Sequence, residues 1–196
     1  RLSMKAICVY CGSSDDVHPD YLEGAYQMGL TLASHGLRLI YGGGKTGLMG
    51  RVADGALAAG GEAVGVIVAS MNTPSLAHPG LTRLDVAKTI HERKARMYEL
   101  SDGYIALPGG FGTLDELFET LTWAQIGEHA KPVGLLNIRD YYRSLLIFIE
   151  YAEKEKFIFP EHRKSLVCAA NPDELLLAFQ EHVYPADAVK RWMRQE

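Results

Sequence analysis

Glu116 is the carboxylate with the most suggestive surroundings in this 196-residue sequence. It follows the run Pro108-Gly109-Gly110-Phe111-Gly112-Thr113-Leu114-Asp115. A glycine-rich turn of this kind lets a ligand approach the backbone closely. A helix starting there would offer its first N–H groups and its dipole to an anion. Phosphate-binding donors and an acidic side chain would then stand within one turn of each other. Upstream, His91-Glu92-Arg93-Lys94-Ala95-Arg96 packs three cations into four positions. Arg93, near the start of a predicted helix, could clamp a phosphate or hold a carboxylate with its planar guanidinium. Both stretches also have a plainer reading. Thr113-x-x-Glu116 fits a capping box, the threonine capping the helix and the glutamate returning to the cap's N–H. The cations fit a solvated helix face with Glu92 and Arg96 as an i,i+4 pair.

A second glycine turn, Gly42-Gly43-Gly44-Lys45-Thr46-Gly47, satisfies G-x-G-x-x-G between a strand and a helix. The acidic residue that dinucleotide sites place at the end of the next strand is missing, because that strand ends in Val68-Ala69-Ser70. A nicotinamide cofactor is therefore not expected. A P-loop would need glycine where Leu39 stands, so that reading fails too. What remains is a close helix–strand turn or one wall of a nucleotide pocket, with Gly43 and Gly44 as candidate contacts. The turn Cys11-Gly12-Ser13-Ser14 should lie on the same rim, making Gly12 and Ser13 candidates as well. The seven histidines are scattered, and neither an H-E-x-x-H run nor Cys/His zinc spacing occurs. No G-x-S-x-G nucleophile elbow occurs either. The expected chemistry is that of a carboxylate and a guanidinium, without metal or cofactor. Cys8-x-x-Cys11 is formally a redox spacing, but Cys8 falls inside a predicted strand rather than at a helix start.

These groups need a scaffold. Hydrophobic residues at 47% and charged residues at 22% describe an ordinary globular chain, and the length fits one domain over residues 4–196. Arg1-Leu2-Ser3 ahead of Met4 reads as a remnant foreign to the fold. A net charge of −4 gives no support to nucleic-acid binding. No apolar run approaches the roughly 20 residues of a membrane span, and no secretory signal is visible. Three cysteines without framework spacing suggest a reducing compartment, hence a cytoplasmic protein.

Apolar runs alternate with amphipathic stretches throughout. Strands are predicted at residues 5–10, 37–41, 63–68, 83–87, 104–107, 132–136 and 166–169. Helices are predicted at 19–34, 48–59, 90–101, 113–127, 141–155 and 173–183, the fifth with Leu145, Leu146, Phe148 and Ile149 facing inward. Residues 70–80, with two prolines, read as a loop or lid at the sheet edge. This alternation predicts an α/β fold with an open, mostly parallel sheet of about seven strands and helices on both faces. Ligands in such folds bind outside the carboxyl ends of the strands, where all three glycine-containing turns fall.

Taken together, His91-Glu92-Arg93-Lys94-Ala95, Pro108-Gly109-Gly110-Phe111-Gly112-Thr113-x-x-Glu116 and Thr122-Trp123-Ala124-Gln125 resemble the LONELY GUY (LOG) family. Those proteins are cytokinin riboside 5′-monophosphate phosphoribohydrolases, many of them carrying an older lysine decarboxylase label. The resemblance runs from the Cys11 turn through Asn137. It implies a Rossmann-like homodimer that hydrolyses adenine-type nucleoside 5′-monophosphates to free base and ribose 5-phosphate. It further implies Arg93 and Glu116 as the catalytic pair. Lys94, Gly110, Phe111, Gly112, Thr113, Leu114, Asp115 and Thr122 match nucleotide-contacting positions, and Gly109 completes the turn. Ile90 stands where relatives commonly have methionine. Ser75 stands where many have a glutamate that helps bind the nucleotide. Cleaving a glycosidic bond builds positive charge on the ribose, which a carboxylate stabilises while activating water. Arg93 is expected to keep that carboxylate ionised. Decarboxylation would need an electron sink such as pyridoxal phosphate on a Schiff-base lysine, and none is marked. The alternatives are a non-catalytic sensor of AMP-like nucleotides, or a molybdenum-cofactor or nucleotide-sugar carrier on a related scaffold.

Overall fold

In the computed structural model, which describes residues 4–185, seven strands form one sheet in which every neighbouring pair is parallel. They are β1 (Ala6–Tyr10), β2 (Arg38–Tyr41), β3 (Ala63–Val68), β4 (Arg83–Ala87), β5 (Gly103–Ala106), β6 (Val133–Leu136) and β7 (Leu166–Ala169). The helices between them are α1 (Pro19–Ser34), α2 (Gly47–Ala58), α3 (Ile90–Glu99), α4 (Phe111–Gln125), α5 (Arg143–Lys154), α6 (Pro160–Arg163) and α7 (Pro172–Glu181). The spatial order is β4-β3-β2-β1-β5-β6-β7. The chain therefore builds outward from β1 to β4, then returns to the other side of β1 with β5. The switch point lies between the carboxyl ends of β1 and β5, where ligands of open α/β sheets bind.

Strands buried on both faces read as continuous apolar runs, and their alternate residues feed two cores. Ile7, Val9, Leu39, Tyr41 and Ile105 pack against α1, α2 and α7. Cys8, Tyr10, Ile40, Tyr104 and Leu135 pack against Met97 of α3, Leu117 of α4 and Ile149 of α5. Trp123 of α4 meets Tyr98 of α3 edge-on, 5.1 Å between ring centroids, so the two helices that carry Glu116 and Arg93 are also locked together at their far ends.

Three expectations change. The fourth helix begins at Phe111 rather than residue 113, with Gly110 as its N-cap and no side chain bonded there. Phe148 faces solvent rather than the core, because α5 turns Ile149 and Ala152 inward and leaves Leu145 and Leu146 half-buried. The four-residue α6 is too short for periodicity to reveal. The 70–80 stretch, read as a loop or lid, is fastened to the second glycine turn. Leu76 O accepts from Lys45 N at 2.9 Å, Gly43 O accepts from His78 N at 2.9 Å, and Ala77 forms an antiparallel bridge with Gly44. Residues 1–3, read above as foreign to the fold, lie outside the described residues.

Candidate functional site

Two turns meet at the switch point. Leu107 N donates to Tyr10 O at 2.9 Å, and Gly12 N donates to Pro108 O at 3.0 Å, so β1 and β5 stay paired past their ends. The backbone at Gly109 then passes directly over Thr113. A Cβ at residue 109 would stand 2.0 Å from Thr113 Oγ1, so only glycine fits. Thr113 is consequently buried beneath the turn, in the third helical position, and does not cap the helix. The capping-box reading of Thr113 and Glu116 is thus overturned: the cap is Gly110, and the glutamate points elsewhere. Phe111, Gly112 and Thr113 are the first three residues of α4, so their N–H groups have no carbonyl within the helix to bond. A Cβ at Gly110 or Gly112 would meet nothing within 4 Å. Packing does not require glycine at either place, and the open space lies where an anion would sit on the helix terminus. Phe111 stands beside it, 95% exposed.

Glu116 lies one turn further along. Its Oε1 accepts from Arg93 Nη1 at 3.1 Å, and both side chains are 15% exposed. Arg93 reaches it from the first turn of α3. That turn is capped by Thr89, whose hydroxyl accepts from Glu92 N at 3.1 Å, while a Glu92 carboxylate oxygen accepts from Lys88 N at 2.8 Å. Glu92 is therefore a capping residue, and the expected Glu92–Arg96 pair is not made. Arg96 instead holds Asp85 at 3.0 Å and Glu99 at 3.3 Å. The guanidinium of Arg93 is fixed on its other side by Val66 O, which accepts from Nε at 2.8 Å. Burial raises the Glu116 carboxyl above the ordinary glutamate range, and the charge and hydrogen bond of Arg93 offset only part of that rise. Arg93 thus acts in the expected direction, favouring the ionised carboxylate, while burial works against it.

A cleft of about 330 Å³ opens over this pair. Of the residues expected to form the site, it brings together Gly12, Ser13, Arg93, Gly110, Phe111, Gly112, Thr113 and Glu116. Gly109 shapes the turn and lines an adjoining cleft beside Tyr141, whose hydroxyl donates to Gly109 O at 2.6 Å. The remaining candidates lie elsewhere. Leu114 packs into the core. Lys94 is held between Asp115, at 3.1 Å, and Glu119, at 2.9 Å, which places Lys94 and Asp115 beside the cleft wall rather than on it. Thr122 is nearly two turns past Glu116, about 9 Å along the axis. It borders a separate apolar groove with Phe118, Leu121 and Ile149. Gly43 (φ +79°) turns toward β3 and Leu84, and Gly44 O accepts from the Tyr41 hydroxyl at 2.8 Å. The residue of that turn which does line the cleft is Gly42, together with Met49 from α2, Tyr10 from β1 and Cys11 from the turn after it. Gly42 was within reach of the sequence, being the first glycine of the motif at a strand's carboxyl end. Nothing marked Met49, which enters only through the placement of α2. The thiols of Cys8 and Cys11 are pushed up by burial, Cys8 being fully enclosed, and neither forms a disulfide. Ser75 bonds Thr73 within its loop at 3.0 Å, and Ile90 is exposed.

Residues 49–179 match a family model described as "Possible lysine decarboxylase". A cytokinin riboside 5′-monophosphate phosphoribohydrolase of Arabidopsis thaliana is 44% identical over 178 residues, 91% of this chain and 82% of that protein. One of Rhodococcoides fascians is 45% identical over 181 residues, 92% of this chain and 91% of that protein. Among solved structures, the molybdenum cofactor binding protein of the phototrophic bacterium Rippkaea orientalis superposes with a TM-score of 0.70 at 26% identity, covering 92% of this chain and 98% of its own. The molybdenum cofactor carrier protein of Chlamydomonas reinhardtii does so with 0.69 at 23%, covering 90% and 96%, a likeness of fold alone.

Proposed function

We propose, from the premise that this chain belongs to the LONELY GUY (LOG) family, that Glu116 and Arg93 are the groups with which it performs its reaction. That reaction is hydrolysis of the N-glycosidic bond of adenine-type, cytokinin-forming nucleoside 5′-monophosphates, AMP included, to free base and ribose 5-phosphate. The observation that carries the assignment is the Arg93–Glu116 contact in a cleft also lined by the open start of α4.

The 5′-phosphate sits on the free N–H groups of Phe111, Gly112 and Thr113. That anchor brings the ribose over Glu116, one turn along the same helix. As the base departs, positive charge grows on the sugar, and the carboxylate stabilises it. The same carboxylate takes a proton from the attacking water, a task for which a pKa raised toward neutrality is well suited. Arg93 holds the carboxylate in one orientation while Val66 O holds Arg93. A Schiff-base decarboxylation has no support, because among the described residues no lysine lines this cleft.

The protein acts as a homodimer in the cytoplasm. The dimer is supported by apolar side chains left exposed, Phe118 on α4, Ile126 just past its end, and Phe148 and Tyr151 on α5. The compartment is supported by three unpaired cysteines.

Incubation with AMP and an N6-prenylated AMP, followed by chromatography, should release free base and ribose 5-phosphate from both. The unphosphorylated riboside should be a poor substrate, since it lacks the positioning anchor. Glu116→Gln should lower turnover by about 10²–10⁴-fold with the fold intact. Wild-type rates from that variant would remove Glu116 from the chemistry.

A further inference from the structure

We propose that Gly42 is a positioning residue for this reaction: its bare Cα is what lets the Arg93 guanidinium reach Glu116. The inference rests on the assignment of Arg93 and Glu116 made above. A Cβ at residue 42 would stand 2.2 Å from Arg93 Nη2 and 2.4 Å from Met49 Cε. Neither separation is possible for real atoms, so one or both side chains would have to move. Arg93 has little freedom to yield. Its Nε is bonded to Val66 O at 2.8 Å and its Nη1 to Glu116 Oε1 at 3.1 Å. A shift that clears Cβ therefore breaks or lengthens at least one of these bonds. Met49, by contrast, is unbranched and can rotate its terminal methyl away.

The backbone at residue 42 does not itself call for glycine. Its φ lies outside the left-handed region, unlike that of Gly43. Alanine is therefore compatible with the local conformation, and Gly42→Ala acts through the added methyl group alone. The turn, read in sequence as a close helix–strand turn or one wall of a nucleotide pocket, makes room for a cation that orients the carboxylate.

The charged and titratable groups around Glu116 are Arg93 and Lys94 from α3, Asp115 from α4, and Cys8, Tyr10 and Cys11 from β1 and its turn. Of these, Arg93 opposes the burial that raises the carboxyl most strongly. Displacing it should move the acid limb of the rate profile to higher pH.

The test is a set of purified variants assayed with AMP across pH, with melting temperatures recorded beside each. Gly42→Ala should lower kcat by on the order of 10²-fold, the scale of an ångström-sized misplacement, and shift the acid limb upward. Adding Met49→Ala to Gly42→Ala should not restore the rate. In an Arg93→Ala background, Gly42→Ala should have no further effect on activity. It should also melt no lower than Arg93→Ala itself, which keeps the test open even if Gly42→Ala alone folds poorly. Wild-type rate and pH profile in Gly42→Ala would overturn the proposal. So would full recovery on removing Met49, or an undiminished effect of the methyl group when Arg93 is absent. Glu116→Gln run in parallel separates the two layers. An inactive Glu116→Gln beside a normal Gly42→Ala sinks only the glycine's role, whereas an active Glu116→Gln sinks the site assignment and this inference with it.

Discussion

At the scale of single residues, Glu116 stands between two opposed influences. Burial disfavours its charge, the Arg93 guanidinium 3.1 Å away favours it, and burial is the larger of the two. The acid limb of kcat/KM should therefore lie above the usual glutamate value of about 4.3. A limb at or below it would contradict a raised base. The same imbalance reaches stability. A carboxyl with a raised pKa binds its proton more tightly in the folded chain than in the unfolded one. Folding then loses stability as pH climbs from the unfolded pKa, about 4.3, through the folded one, and bears the full cost above both. Glu116→Gln does not titrate, so its melting temperature should gain on the wild type as pH rises from about 4 to 7. Calorimetry across that interval would show a gap moving the other way if the sign were wrong.

At the scale of elements, α4 is organised by two kinds of glycine. Gly109 is demanded by the protein itself, because Thr113 lies beneath it. Gly110 and Gly112 face open space, so packing does not demand them, and the proposed phosphate anchor is what would. Gly112→Val should melt within about 2 °C of the wild type, as surface substitutions do. It should still lose roughly 10–100-fold in kcat/KM, the worth of a hydrogen bond to a charged group. A variant that melts far lower would mean that the glycine serves packing after all. The boundaries of α4 also show where sequence reasoning reached its limit. Thr113-x-x-Glu116 has the letters of a capping box, yet Gly110 takes the cap position and starts the helix two residues earlier. The box-like arrangement occurs instead at Thr89 and Glu92. A tetrapeptide pattern cannot distinguish the two, because the deciding contact, Gly109 on Thr113, comes from the path of the turn. Strands were easier to place, since β3, β4 and β7 are apolar or bounded runs whose limits coincide with turn residues. Lys94 and Thr122 match a family motif by spacing, but spacing does not reveal that Asp115 and Glu119 hold the lysine or that Thr122 faces another groove.

At the scale of the whole molecule, the parallel order fixes where chemistry can occur. Every strand points its carboxyl end to one edge, and the reversal beside β1 parts the loops there. The shared rim followed from the alternation of strands and helices, whereas the strand order and the reversal beside β1 did not. The outward turn of Phe148 did not, because it reads as core on an amphipathic helix and only the packing of Ile149 and Ala152 turns it to the surface. Sedimentation velocity should find a dimer, and Phe148→Glu should weaken it about 30-fold or more if that ring is an anchor of the interface. A wild-type monomer at micromolar concentration would dismiss the dimer. The packing of Trp123 against Tyr98 has a consequence of another kind. The chain contains two tryptophans, Trp123 and Trp192. Trp192→Phe would leave a single strong emitter, on the helix that carries Glu116 and in contact with the helix that carries Arg93. Its fluorescence would give the protein an internal optical gauge: nucleotide arrival at the far end of α4 should register in real time in Glu116→Gln, the variant expected to bind without turning over.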